Sequence, residues 1–110
     1  MTGAADFERG RREGEALLSV AGEIDLATAE TFRDQLRRLI AEANSPALVD
    51  LSGVTFMDSS GVDALATARR RAGDAGVELI LVAPSPPVRR VLELTALWDH
   101  FEVRPRCSSG

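Results

Sequence analysis

Lysine is missing from this chain altogether: all 13 basic residues are arginine. That excludes a P-loop lysine on a phosphate and any Schiff-base chemistry. The bias holds along the whole chain and reads as genome composition rather than function. Cysteine is nearly missing too. Cys107 by itself makes no internal disulfide and no metal cluster, so a soluble, reducing, cytoplasmic setting is expected. Long apolar runs are also lacking. The longest, Val77 to Ala83, is interrupted by Glu78 and falls far short of the roughly 20 residues that a membrane span needs. The N-terminus carries Asp6 and Glu8 and no apolar stretch, so a signal peptide is not expected. Nor is there an excess of positive charge: the net charge of −4 argues against a nucleic-acid partner.

What is present suffices for one core. The 110 residues are 45% hydrophobic and show no internal repeat, so a single domain over residues 1–110 is expected, ordered from about 5 to 104. Proline, serine and glycine in 105–110 suggest a loose tail.

The apolar pattern predicts β-β-α-β-α-β-α-β. A weak strand over Ala5 to Arg11 and a better one over Glu15 to Ala21 come first, and Gly22-Glu23-Ile24-Asp25 reads as a break. Ala29, Phe32, Leu36, Leu39, Ile40 and Ala43 have the 3–4 spacing of a helix capped by Asp25 or Thr28 and ended before Pro46. Ala47 to Leu51 fits a short strand covered on both faces. A second helix is expected from about Ser60 to Gly73, a strand from Val77 to Ala83, and a third helix after a Ser85 cap with Pro86 at its first position. Phe101 to Arg104 makes a last strand. Helices alternating with buried strands imply parallel crossovers in an α/β sheet. The expected core is Leu17, Val20, Ile24, Phe32, Leu36, Leu39, Ile40, Leu48, Val49, Leu51, Leu65, Leu79, Leu81, Val91, Leu92 and Leu97.

The chemistry concentrates in Val49 to Val62: a buried strand, a loop, then the hydroxyl-rich turn Asp58-Ser59-Ser60-Gly61 opening a helix. Free N–H groups and the positive dipole end at a helix start favour an anion. Ser60-Gly61-Val62-Asp63 has the serine-x-x-acid form of a capping box, which makes Ser60 the N-cap and leaves the Ser59 hydroxyl unclaimed. Ser59 is therefore the better phosphoacceptor, and Gly61 leaves room for another protein's active site to approach.

Other constellations are weaker. A Ser/His/Asp set with His100 lacks the glycine-x-serine-x-glycine elbow, and its serine follows an acid that would oppose an oxyanion. His100 reads as a partly buried packing residue beside Trp98 and Phe101. Asp25, Asp50 and Asp58 are expected near strand ends, with Glu23 and Asp63 in the same acidic set; they read as caps and loop residues rather than metal ligands. Arg69 to Arg71 and Arg89-Arg90 read as solvated helix faces, and Trp98 with Leu97 as core closure. No catalytic residue, metal or cofactor is assigned.

Three stretches together resemble the STAS-domain anti-sigma factor antagonists: Gly22-Glu23-Ile24-Asp25 into Thr28-Ala29; Val49 to Val54 into Phe56-Met57-Asp58-Ser59-Ser60-Gly61; and Val77 to Val82 followed by Pro87 to Leu92 and Leu94 to Leu97. They cover roughly Glu15 to Phe101 in the expected order. The resemblance implies a small α/β domain, its mixed, largely parallel sheet carrying helices mainly on one side. It also implies a non-enzymatic binding protein. When unphosphorylated, such a protein binds a cytoplasmic anti-sigma factor that is also a serine kinase, and so releases the sigma factor. The kinase phosphorylates the serine corresponding to Ser59 and a serine phosphatase reverses the step. Glu23, Asp25, Asp58, Ser60, Gly61 and Asp63 are then expected on the partner surface. Where the family usually has leucine-glycine, this chain has Val62-Asp63, which puts an extra negative charge one turn from Ser59 and bears on partner choice. The alternative is a STAS domain serving as a non-switching structural subunit of a signalling scaffold or a transporter-associated complex. A retained acceptor hydroxyl favours the switch.

Overall fold

Glu13 and Gly14 both take positive φ (52° and 84°), and in the computed structural model they form the turn of an antiparallel hairpin. Two such residues match the twist of the flanking strands. The hairpin joins β1 (Ala5–Arg12) to β2 (Glu15–Ile24). The structure describes residues 4–105. After the hairpin come α1 (Leu26–Glu42), β3 (Ala47–Met57), α2 (Ser59–Asp74), β4 (Leu79–Val82), α3 (Pro86–Leu94), a 3₁₀ turn (Trp98–His100) and β5 (Glu102–Arg104). The expected order of elements is the observed one.

The five strands lie in sequence order, with β2, β3, β4 and β5 parallel. A sheet that grows in one direction through crossovers of one hand puts its helices on one face. The main core accordingly joins Leu18, Val20, Val49, Leu51 and Leu81 from the sheet to Phe32, Leu36 and Leu39 of α1, Val62 and Leu65 of α2, and Val88 and Leu92 of α3. A small cluster on the other face, Leu48, Ile80 and Val82, contains no helix residue. Most of the expected core is buried; Leu17, Val91 and Leu97 are only half-buried, packed against its margins.

Two strands run further than their composition suggests. Gly22 to Ile24 does not break β2, and β3 does not give way to a loop after Leu51; it continues to Met57. The pairing of the two strands carries irregularities between Ser19 and Ala21 and between Gly22 and Glu23. An extra residue in a strand disturbs the alternation that marks it in sequence. In β3, Val54 and Met57, three apart, are both buried. Gly22 makes the irregularity possible: its φ is +95°, and a Cβ there would lie 2.3 Å from the Ala4 carbonyl oxygen.

Shorter differences have simple causes. β4 is confined to Leu79–Val82 within the expected Val77 to Ala83, and Ala83 leaves the strand with φ 47°. Ser85 is the N-cap of α3, but its hydroxyl makes no capping bond. Pro87 at the second helical position has no N–H to offer it. The expected tail lies, from residue 106 on, outside the described residues. Among the described residues no helix is long and apolar enough to cross a membrane.

Candidate functional site: two helix starts on one sheet edge

β2 and β3 end together, with Ile24 opposite Met57 in the parallel register. The next residue on each strand is an aspartate, and each aspartate caps the helix that follows. Asp25 caps α1: its carboxylate accepts from Ala27 N (3.0 Å) and Thr28 N (3.2 Å). The Thr28 hydroxyl in turn accepts from Asp25 N (3.0 Å) and donates to the Glu23 carbonyl (2.8 Å), closing a capping box.

Asp58 caps α2, its carboxylate accepting from Ser60 N at 2.9 Å. This corrects the expectation for Ser60. It is not the N-cap but the second helical residue, and Ser59 is the first. The cap falls two residues earlier than the serine-x-x-acid pattern predicts, because the strand extends to Met57 and Asp58 is itself a strong cap. Among the described residues neither serine hydroxyl has a hydrogen-bond partner. Ser59 is exposed and Ser60 half-buried, so exposure, not capping, now separates them.

Gly61 has a different role from the one expected. It is buried, and a Cβ there would stand 2.6 Å from Met57 Cγ and 2.8 Å from Ile24 Cγ2. The missing side chain is taken up by the domain's own core where α2 crosses the ends of β2 and β3. Asp63, on the exposed side, pairs with Arg33 of α1 at 3.0 Å. Glu23 is exposed at the end of β2, while Asp25 and Asp58 are half-buried.

Sequence reasoning passed over two apolar neighbours. Leu26, the first residue of α1, is 83% exposed, and Phe56, next to Met57 and opposite Glu23, is 47% exposed. Leu26 stands three residues before Ala29, in step with the 3–4 spacing of α1, so the pattern gives no sign of its exposure. Phe56 lies in the segment that composition assigns to a loop and that the structure extends as β3. Exposed large apolar groups beside unengaged polar ones suit a protein partner more than a small ligand.

The other candidates scatter. Asp50 sits mid-strand in β3 and accepts from Ser52 N and Ser52 Oγ (2.9 and 2.7 Å), away from Asp25 and Asp58. Among the described residues no three histidine, cysteine or acidic side chains converge as metal ligands. His100 is exposed rather than partly buried, and it precedes the start of β5, at the sheet edge opposite Ser59. Its carbonyl accepts from Arg69 Nε at 2.5 Å. A serine and a histidine at opposite strand ends form no nucleophile–base pair. Arg89 stacks over Trp98 at 4.8 Å and pairs with Glu93, so this part of α3 is a packed surface rather than a free basic patch.

Comparison with known proteins agrees with this geometry. The STAS domain model matches residues 7–109. The anti-sigma-F factor antagonist RsfB of Mycobacterium tuberculosis is 34% identical over 90 residues, covering 82% of this chain and 73% of RsfB. Among solved structures, an anti-sigma factor antagonist from Mycobacterium paratuberculosis superposes with a TM-score of 0.81 at 29% identity, covering 91% of this chain and 85% of its own. SpoIIAA of Bacillus, an anti-sigma factor antagonist solved in its unphosphorylated form, superposes with a TM-score of 0.75 at 25% identity, covering 94% and 90%. The chain belongs to the STAS domain family, within its non-enzymatic anti-sigma factor antagonists.

Proposed function

We propose that this chain, when Ser59 is unphosphorylated, binds a cytoplasmic anti-sigma factor that is also a serine kinase, and so frees the sigma factor. Phosphorylation of Ser59 switches the binding off and a serine phosphatase restores it. The observation that carries the reading is the state of Ser59. It is the first residue of α2, exposed, its hydroxyl unengaged, on the same sheet edge as the exposed side chains of Leu26 and Phe56. The existence of an unphosphorylated form named as such for SpoIIAA supports a phosphorylation cycle in the family. Glu23, Asp25, Asp58, Ser60, Gly61 and Asp63 belong to the same edge. Of these, Gly61 acts from beneath, by letting α2 seat on Ile24 and Met57.

The physics of the switch is electrostatic. A phosphoserine adds about −1.5 to −2 charge near neutral pH. Within the chain the N-terminus of α2 stabilises that charge in place. Across an interface fitted to a neutral hydroxyl, the same charge must be desolvated, at a cost of about 2–5 kcal/mol. The domain need not refold for binding to be lost.

Incubation with the partner kinase and ATP followed by peptide mapping is expected to place phosphate on Ser59; phosphate on Ser60 would overturn the assignment. In calorimetry against the kinase, Ser59→Ala should bind persistently and Ser59→Asp weakly. Equal affinity of the phosphorylated and unphosphorylated chains would leave a non-switching structural subunit as the reading.

A further inference from the structure

We propose that Arg33 is the phosphate ligand of phosphorylated Ser59, and that it reaches the phosphate by leaving Asp63. The inference rests on the reading of Ser59 as the phosphoacceptor and adds a counter-charge that the sequence pattern does not contain.

Ser59 and Asp63 stand four residues apart on α2, and so face the same way one turn from each other, with Cβ atoms about 5–6 Å apart. Helical side chains lean toward the N-terminus of their helix, so the Asp63 carboxylate lies over the turn that separates it from Ser59. Arg33 meets that carboxylate at 3.0 Å. α1 and α2 both leave the same sheet edge after parallel strands, so the arginine side chain leans toward the Ser59 end as well. Both partners of the pair are substantially exposed, 43% for Arg33 and 67% for Asp63, which leaves the guanidinium free to turn.

Phosphorylation changes what the guanidinium faces. A phosphate one turn from Asp63 sets like charges at i,i+4, which is unfavourable. Arg33 then stands between a carboxylate of one negative charge and a phosphate of nearly two, with oxygens that suit its planar fork. The other charged groups at this edge are Glu23, Asp25 and Asp58 from the strand ends and Glu30 from α1, all acidic. The next cation along α1, Arg37, is one turn further away and pairs with Asp34. Arg33 therefore takes the phosphate, and Asp63 returns to water. Asp63 holds Arg33 at the site before modification and competes for it afterwards.

The test uses the full chain with phosphoserine incorporated at position 59, followed by phosphorus NMR across its second ionisation. Arg33→Gln should make the phosphate hold its second proton about threefold more tightly than in the wild type, a size fitting an exposed ion pair. Asp63→Asn should shift it the other way, by removing a like charge and freeing Arg33. Arg33→Lys should restore part of the wild-type titration, and Arg37→Gln should leave it in place. Circular dichroism checks that each variant is folded. An Arg33→Gln titration superimposable on the wild type overturns the proposal, as does an Arg37→Gln shift of equal size. Because the phosphate is built in, the outcome does not depend on any kinase. Failure of the kinase to modify Ser59 would sink the proposed function and leave this titration standing.

Discussion

α1 and α2 start side by side, each from a parallel strand, each with an aspartate as N-cap, yet only α1 carries a capping box. Counted from the cap, α1 reads Asp25-Leu26-Ala27-Thr28 and α2 reads Asp58-Ser59-Ser60-Gly61. The third helical position decides the difference. Thr28 reaches back and completes a capping box. Gly61 has no side chain to reach with, and any Cβ there would collide with Ile24 and Met57. The tight seat of α2 on the sheet thus forbids the reciprocal cap; the Asp58 N–H donates instead to the Ile24 carbonyl at 3.1 Å, and among the described residues the two serine hydroxyls of the first turn have no partner.

The sharpest way to break that comparison is to graft the α1 solution onto α2. Gly61→Thr supplies the capping-box residue but forces a branched side chain into a filled space, and should destabilise the domain by about 2–3 kcal/mol in urea unfolding. A stable variant would show that packing does not hold this position open. Next in size, Asp25→Ala should cost about 2 kcal/mol, because it removes the carboxylate that satisfies two backbone N–H groups, and Asp58→Ala about 1 kcal/mol, because it satisfies one. Equal losses would mean that the box adds nothing to the single cap. Ser60→Ala should change stability by no more than about 0.5 kcal/mol, since its hydroxyl caps nothing; a loss near 1 kcal/mol would restore Ser60 as a cap.

The smallest effect lies further along the same helices. Asp34 on α1 is bonded by Arg37 and Arg38, while on α2 Arg70 and Arg71 make no ion pair among the described residues. The Arg37 hydrogen bond, followed by that of Arg38, holds the Asp34 carboxyl below the ordinary carboxylate range. A carboxyl lowered on folding adds stability above its unfolded pKa and loses it as pH falls through its folded one. Asp34→Asn should therefore be slightly less stable than the wild type in urea unfolding at neutral pH, and the difference should disappear as pH falls below about 4. Asp34 is 37% exposed and its partners Arg37 and Arg38 are 56% and 54% exposed, so solvent screening keeps the difference small.

Much of this was legible because it depends on local pattern. The stripe Ala29, Phe32, Leu36, Leu39 and Ile40 fixed α1 and its buried face, and Asp25 with Thr28 marked its start. The site segment, Asp58 to Gly61, stood out through its hydroxyls alone. The differences at the site share a cause: they lie where one strand's conformation depends on its neighbour. Ser52-Gly53 interrupts the apolar run and masks the strand-favouring Val54-Thr55-Phe56 behind it; the segment is extended because β2 offers it a ladder, irregular next to Gly22. A β3 that ended at Leu51 would leave Phe56 in a loop and Ser60 as the nearest cap; the ladder to β2 carries the strand to Met57 and gives the cap to Asp58.

The chain by itself determined the order of elements, the core-facing stripes, the family and the serine pair, because periodicity, caps and motif spacing are properties of consecutive residues. Tertiary structure alone decided that Asp58 rather than Ser60 caps α2, that Gly61 serves the core, that Leu26 and Phe56 share an edge, and that Arg33 reaches Asp63 across 30 residues of sequence. Each of these depends on which atoms from separate segments compete for the same space or the same hydrogen bond, and that competition exists only once β2 and β3 lie together and two helices rise from one edge.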